Sequence, residues 1–180
     1  IDNGIAACAL AQLAGVSAEE IRAAMLTFGG VDRRFDFKIK NEDCVFLSDY
    51  AHHPAEIKQS ILSLREVFDG RKITAIFQPH LYTRTRDFYK DFADALSLLD
   101  EVILLDIYPA RELPIEGVNS QLIFDRLRPE MTKRMAHLTE LPQIVAEGDF
   151  DVLVVLGAGD ADTYCPQLTE ILLKKQATKA

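Results

Sequence analysis

Val152-Leu153-Val154-Val155-Leu156 runs without a polar break into Gly157-Ala158-Gly159-Asp160. An apolar run of that length, stopped by a glycine turn, describes a strand buried on both faces. Beyond the turn the spacing predicts a closing helix with Leu168, Ile171 and Leu172 facing inward. Moving toward the N-terminus, the same alternation repeats. A helix is expected over 142–147, a short strand over 135–138, a short helix over 120–127 and a loop over 109–117. Residues 102–107 read as an apolar strand, and residues from about 86 to 99 as a helix presenting Phe88, Phe92, Leu96 and Leu99 to a core. Residues 73–77 form another apolar strand. Pro54, whose fixed φ suits a first helical turn, opens a helix with Ile57, Ile61, Leu64 and Phe68 on one face, closed by Asp69-Gly70. Val45-Phe46-Leu47 is a strand leading into Ser48-Asp49-Tyr50. Phe35, Phe37 and Ile39 alternate with polar residues as a half-buried strand beside it, joined by a polar turn over 41–43. Buried strands separated by helices imply a mostly parallel sheet covered on both faces. The expected fold is therefore a Rossmann-like α/β domain over 31–180.

Residues 1–30 read differently. Ile5, Ala6, Ala9, Leu10 and Leu13 recur at helical spacing until Gly15, and Ser17 with Glu20 forms a capping box for a second helix. Ile21, Met25 and Phe28 share a face there, and Gly29-Gly30 ends it. The first helix opens mid-pattern, so these two helices are expected to belong to a preceding domain.

Composition narrows the function classes. A net charge of -8 argues against a broad nucleic-acid surface, though not against a local basic pocket. No apolar run approaches the ~20 residues of a membrane span, and no secretory leader is visible. The three cysteines, Cys8, Cys44 and Cys165, are far apart and form neither zinc spacing nor a disulfide framework. Reduced thiols in a cytoplasmic protein are expected. No phosphate-loop motif, metalloprotease motif or nucleophile elbow occurs. Asp49, His52 and His53 could in principle hold a metal, but adjacent histidines cannot easily turn both rings to one ion, so no protein-only metal site is expected.

Ligands in such sheets bind beyond the carboxyl ends of the strands. Three strand-end loops are unusually polar. Asp49-Tyr50-Ala51-His52-His53-Pro54 brings a carboxylate and two imidazoles to a helix start; the plain alternative is that they only cap that helix. Gln78 to Arg86 carries His80, Arg84 and Arg86. Cations at a helix N-terminus are unfavourable, so they ask for an anionic partner, unless the turn is merely solvated. Asp106 to Glu112 can line the same pocket, or Arg111 and Glu112 can simply pair on the surface. Three of the four histidines fall in the first two loops, which open on one sheet edge. Arg33-Arg34 sits at the junction with the leading helices, as a solvated pair or as a reach toward a nucleotide. Gly157-Ala158-Gly159-Asp160 resembles half of a dinucleotide fingerprint, or is only a tight turn.

GVDRRF at 30–35, DYAHHPAEI at 49–57, FQPHLYTRT at 77–85 and LLDIYPARELPI at 104–115 resemble, in order and spacing, the C-terminal half of the Mur ligase family. The DYAHxP segment is common to the family; FQPHxYTRT points to the branch that adds L-alanine to UDP-N-acetylmuramate. The stretch from Asn3 to Phe35 resembles the end of the family's central ATP-binding domain, and the resemblance assigns 1–30 to that domain and 31–180 to the C-terminal domain.

The resemblance implies a bacterial, cytoplasmic, ATP-dependent ligase of peptidoglycan synthesis that works through an acyl phosphate. ATP, UDP-N-acetylmuramate and L-alanine are its implied ligands. Mg2+ is bound mostly by the central domain, and the partners are the protein's own N-terminal and central domains. These 180 residues alone are then expected to be inactive. By motif position, Asn3, Arg33, Arg34 and Asp49 are implied nucleotide contacts, with Arg34 the closer of the pair. Tyr50 and His52 line the reacting groups, and Arg84, with His80 and Tyr50, holds L-alanine. Two positions depart from many relatives: Leu81 replaces an arginine and Ala51 a glycine. A stand-alone nucleotide- or amino-acid-binding module and the related murein-peptide recycling ligase remain alternatives; a small hydrolase using His52, His53 and Asp49 is a third.

Overall fold

A computed structural model describes residues 2–179. The chain divides into two compact units, Ile1–Val31 and Asp32–Ala180. The first holds helices α1 (Asp2–Leu13) and α2 (Ala18–Thr27). The expected capping box starts α2: Ser17 Oγ accepts from the Glu20 N–H at 3.3 Å, and the Glu20 carboxylate accepts from the Ser17 N–H at 2.9 Å. The apolar faces of both helices form but stay open, with Ile5, Leu10, Leu13, Met25 and Phe28 all exposed.

The second unit is built on six strands, β1 (Asp36–Lys40), β2 (Val45–Asp49), β3 (Ile73–Phe77), β4 (Glu101–Leu105), β5 (Thr132–Ala136) and β6 (Val152–Leu156), in the order β1-β2-β6-β3-β4-β5. Only β1 pairs antiparallel, with β2; the other four pairings are parallel. The strand that decided the sequence reading, β6, lies inside the sheet between β2 and β3, and every one of its residues is buried. Alternate side chains leave it in opposite directions. Val152, Val154 and Leu156 pack with Ile57, Ile61 and Leu64 of α3 (Pro54–Val67) and Phe92 and Leu96 of α4 (Tyr82–Leu96). Leu153 and Val155 pack with Leu141 and Val145 of α6 (Leu141–Glu147) and Leu168 and Leu172 of α7 (Cys165–Lys179). Each fully buried Phe, such as Phe46, Phe77 or Phe92, contributes roughly 1.5–3 kcal/mol through removal of apolar area from water. The short α5 (Gln121–Phe124) covers the first face beside α4.

Several boundaries differ from the sequence expectation, among them the short α5, which ends at Phe124 rather than 127. Helix α4 starts at Tyr82 rather than near 86, so Arg84 lies in its first turn. Strand β4 stops at Leu105, and β5 spans Thr132–Ala136 rather than 135–138. Strand β5 is an edge strand in which only Ala136 is buried. Lys133 and Arg134 suit an edge, where charge discourages pairing with another chain, and they leave little apolar pattern to read. Cys44 and Cys165 are buried; burial pushes the Cys165 thiol up to about 11, so it carries no thiolate at neutral pH.

Candidate functional site

Strands β2, β6 and β3 run in register, with Asp49 beside Leu156 and Leu156 beside Phe77. Their carboxyl ends therefore finish at one level, and the loops that follow open along a single rim. Along it runs a row of rings. The Tyr50 and His52 centroids are 5.1 Å apart, His52 and His80 6.2 Å, and His80 stacks on Tyr108 at 5.5 Å. His52 Nδ1 lies 2.9 Å from the Tyr50 carbonyl. A carbonyl can only accept, which assigns the proton of the neutral ring to Nδ1. Arg84 Nη1 reaches His80 Nδ1 at 3.5 Å. Partial burial lowers the His80 pKa, with the Arg84 charge and then His52 adding to it, so the ring is neutral at physiological pH.

Arg84 is half-buried and, among the described residues, makes no ion pair, whereas Arg33 and Arg86 are committed. Arg86 pairs with Asp87 at 2.7 Å. Arg33 pairs through Nε with Asp162 at 2.9 Å, donates through Nη2 to the Gly157 and Gly159 carbonyls, and lies over the Tyr50 ring at 4.7 Å. Arg34 is exposed, and its charge acts on Asp49. Asn3 belongs to α1, in the first unit, with an exposed side chain. His53 turns out to serve the helix: its Nδ1 accepts the Ala55 N–H at 3.4 Å, Glu56 accepts the His53 N–H in return, and its ring packs on Phe88.

Two residues to which the sequence reading gave no site role of their own organise the rim. Gln78, buried at the end of β3, accepts the Ala161 N–H at 3.0 Å and donates to Asp160 at 2.7 Å, clamping the turn after β6. The Gly157-Ala158-Gly159-Asp160 segment is thus a tight turn packed against protein. Glu112, from the loop after β4, accepts the Thr83 N–H at 2.9 Å and the Thr83 hydroxyl at 2.5 Å. It is the acidic group at the start of α4, and it does not pair with Arg111. Neither contact leaves a local signal, because the partners are distant in sequence.

Asp49 is held from inside. Its carboxylate accepts the Ala51 N–H at 2.9 Å, the Ser60 hydroxyl at 3.3 Å and a bond from the Phe35 backbone. Burial outweighs these bonds and the Arg34 charge, and raises its pKa. A folded pKa above the unfolded one gives stability that is full below the unfolded value and lost as pH rises through the folded value. Asp49→Asn is therefore expected to raise the thermal midpoint at neutral pH and to flatten its pH dependence on the acid side. Thermal unfolding at several pH values checks this; a midpoint lowered at neutral pH would show that the charge stabilises the fold there.

Among the described residues no group of three His, Cys, Asp or Glu is gathered to hold a metal. A hollow of about 350 Å³ lies at the other edge of the sheet, beside Cys44, Phe150 and Lys175, but Lys175 already donates to the Val145 and Gly148 carbonyls. Among the described residues no helix is long and apolar enough to cross a membrane.

Residues 33–159 match the family model described as Mur ligase, glutamate ligase domain. The chain is 64% identical over 175 residues to a UDP-N-acetylmuramate–L-alanine ligase of Phocaeicola vulgatus, covering 97% of this chain and 38% of that protein. It is 54% identical to the protein of the same name in Parabacteroides distasonis, again over 97% of this chain and 38% of that one. A crystal structure of a UDP-N-acetylmuramate–alanine ligase from Thermotoga maritima superposes with a TM-score of 0.74 at 27% identity, covering 99% of this chain and 37% of that one. The chain thus spans under two-fifths of the length of these relatives. The fold, the rim at the carboxyl ends of its strands and the matched span together place this chain in the Mur ligase family.

Proposed function

We propose that this chain is the amino-acid-reading part of an ATP-dependent ligase that joins L-alanine to UDP-N-acetylmuramate in the bacterial cytoplasm. The observation that carries the reading is Arg84: a guanidinium with no carboxylate of its own, set at the sheet rim beside a neutral histidine. A planar fork of that kind suits the carboxylate of a small amino acid. The neutral His80 adds no competing charge.

In this reading ATP phosphorylates the UDP-N-acetylmuramate carboxylate, the L-alanine amine displaces phosphate, and the rim brings the amine to the acyl phosphate. Arg84 and His80 hold the amino acid. Tyr50 and His52 sit between that anchor and the nucleotide side, where positioning is worth more than any one contact. Asp49 and Arg34 face the nucleotide; Asn3, on α1, is a nucleotide contact by motif position alone. Arg33, though part of the same basic pair, ties the turn after β6 in place through the bonds given above. Helices α1 and α2 are assigned to the end of a preceding ATP-binding domain. Mg2+ accompanies ATP and neutralises phosphate charge when bound; its ligands are assigned to that preceding domain.

The test is phosphate release by the full-length protein with ATP, UDP-N-acetylmuramate and a panel of amino acids. Release that needs all three substrates and prefers L-alanine is expected. Release without an amino acid, or equal rates with bulky amino acids, would refute the assignment.

A further inference from the structure

Nothing in the sequence of α4 starts that helix where it starts. Leu81 stands at the cap position with φ +76° and no side-chain hydrogen bond. The first turn then carries Arg84, with Arg86 just beyond it, charges that a helix N-terminus disfavours. The missing parts come from the loop after β4. Leu81 N–H donates to the Tyr108 carbonyl at 2.9 Å, and Tyr108 N–H donates to the Pro79 carbonyl at 2.8 Å. These bonds zip the two loops together at the bridge between His80 and Tyr108. Ala110 then takes a left-handed φ of 51° and turns the chain back over the helix start. There the Glu112 carboxylate takes both Thr83 groups, and the Tyr82 N–H as well. A left-handed φ at a residue with a Cβ persists only where surrounding contacts hold it. Here two such residues flank one zip.

We propose that Glu112 is a positioning residue for amino-acid binding: a cap lent by the β4 loop that holds the first turn of α4, and so keeps Arg84 and His80 at the rim. This rests on reading Arg84 as the carboxylate anchor. Glu112 acts through α4 and stays off the substrate, because Thr83 and Tyr82 occupy its oxygens. Amino-acid affinity then depends on a carboxylate 28 positions beyond the anchor in the chain.

The test uses the full-length protein with Glu112→Ala, Glu112→Gln, Thr83→Val and Arg84→Ala. Glu112→Ala is expected to raise KM for L-alanine about tenfold, with kcat and the KM values for ATP and UDP-N-acetylmuramate within about twofold. Glu112→Gln should fall between, since an amide oxygen still accepts from Thr83 but carries no charge. Thr83→Val should lose part of the same affinity. Hydrogen exchange at the first-turn amides of α4 should quicken in the Glu112 variants and stay unchanged in Arg84→Ala. An unchanged L-alanine KM in Glu112→Ala, with a raised one in Arg84→Ala, overturns the role of Glu112 and leaves the anchor standing. Unchanged values in both overturn the two together. A loss of kcat with all three KM values rising, in Glu112→Gln as well, marks a general folding role and also overturns the proposal.

Discussion

Gly157→Ala is expected to destabilise the domain by roughly 3–5 kcal/mol, combining backbone strain with overpacking at a site that cannot give way. Gly157 has φ +130°, a conformation L residues rarely adopt. A Cβ there would stand 2.7 Å from the Gln78 carbonyl oxygen. That oxygen is main chain, at the end of β3, and Gln78 is pinned by its bonds to Ala161 and Asp160. The Gly157 N–H also donates to the Asp49 carbonyl at 3.2 Å, so the turn cannot slide away from β3 without leaving β2. Gly70→Ala is the matched control: its φ is +75°, but a Cβ would meet nothing within 4 Å. It should cost about 1 kcal/mol, the conformational part alone. In a domain of this size the first change should lower the thermal midpoint by about 10 °C and the second by only about 3 °C. Equal losses in the two variants would mean that the clamp between the turn and Gln78 contributes nothing.

Arg84→Ala should leave the fold intact and remove the amino-acid anchor. Among the described residues the side chain makes one hydrogen bond, 3.5 Å to His80, and no ion pair, so its loss should not lower the thermal midpoint. The effect should appear in the full-length protein as a rise in KM for L-alanine of about a hundredfold, or ~2.7 kcal/mol, the scale of a charge-assisted pair. Lysine at this position should recover only part of the loss, because a point charge cannot grip both carboxylate oxygens as a planar fork can. Removing the Arg84 charge should also raise the His80 pKa. Partial burial, the larger cause, remains, so the shift is only partly relieved. Imidazole signals followed by NMR against pH would show it. An L-alanine dependence identical to the parent protein would withdraw Arg84 from the site.

Much of the architecture was legible because the signals are local. The five apolar residues of β6, the Ser17–Glu20 box and the Pro54 start each need only neighbouring residues to be recognised, and each lies where the pattern placed it. The basic and aromatic residues at the ends of β2 and β3 were legible too, as clusters at the carboxyl ends of buried strands. The start of α4 was not. Its cap comes from Glu112, 29 residues beyond Thr83, so nothing beside Leu81 announces a helix. Strand β5 was misplaced because an edge strand with one buried residue has almost no period to detect.

Sequence alone determined the class of fold and the residue types gathered at the carboxyl ends of its strands, since period, caps and turns act over a few positions. How those residues are held within the domain was decided only in three dimensions. Arg33 and Arg84 look alike as text, yet one is tied to Gly157 across 124 positions and the other makes no ion pair among the described residues. The difference arises from the sheet order: placing β6 between β2 and β3 brings the Gly157 turn against Arg33 and Gln78 and leaves Arg84 beside His80. Contacts across such separations follow from how strands are shuffled in space, which no short stretch of chain encodes.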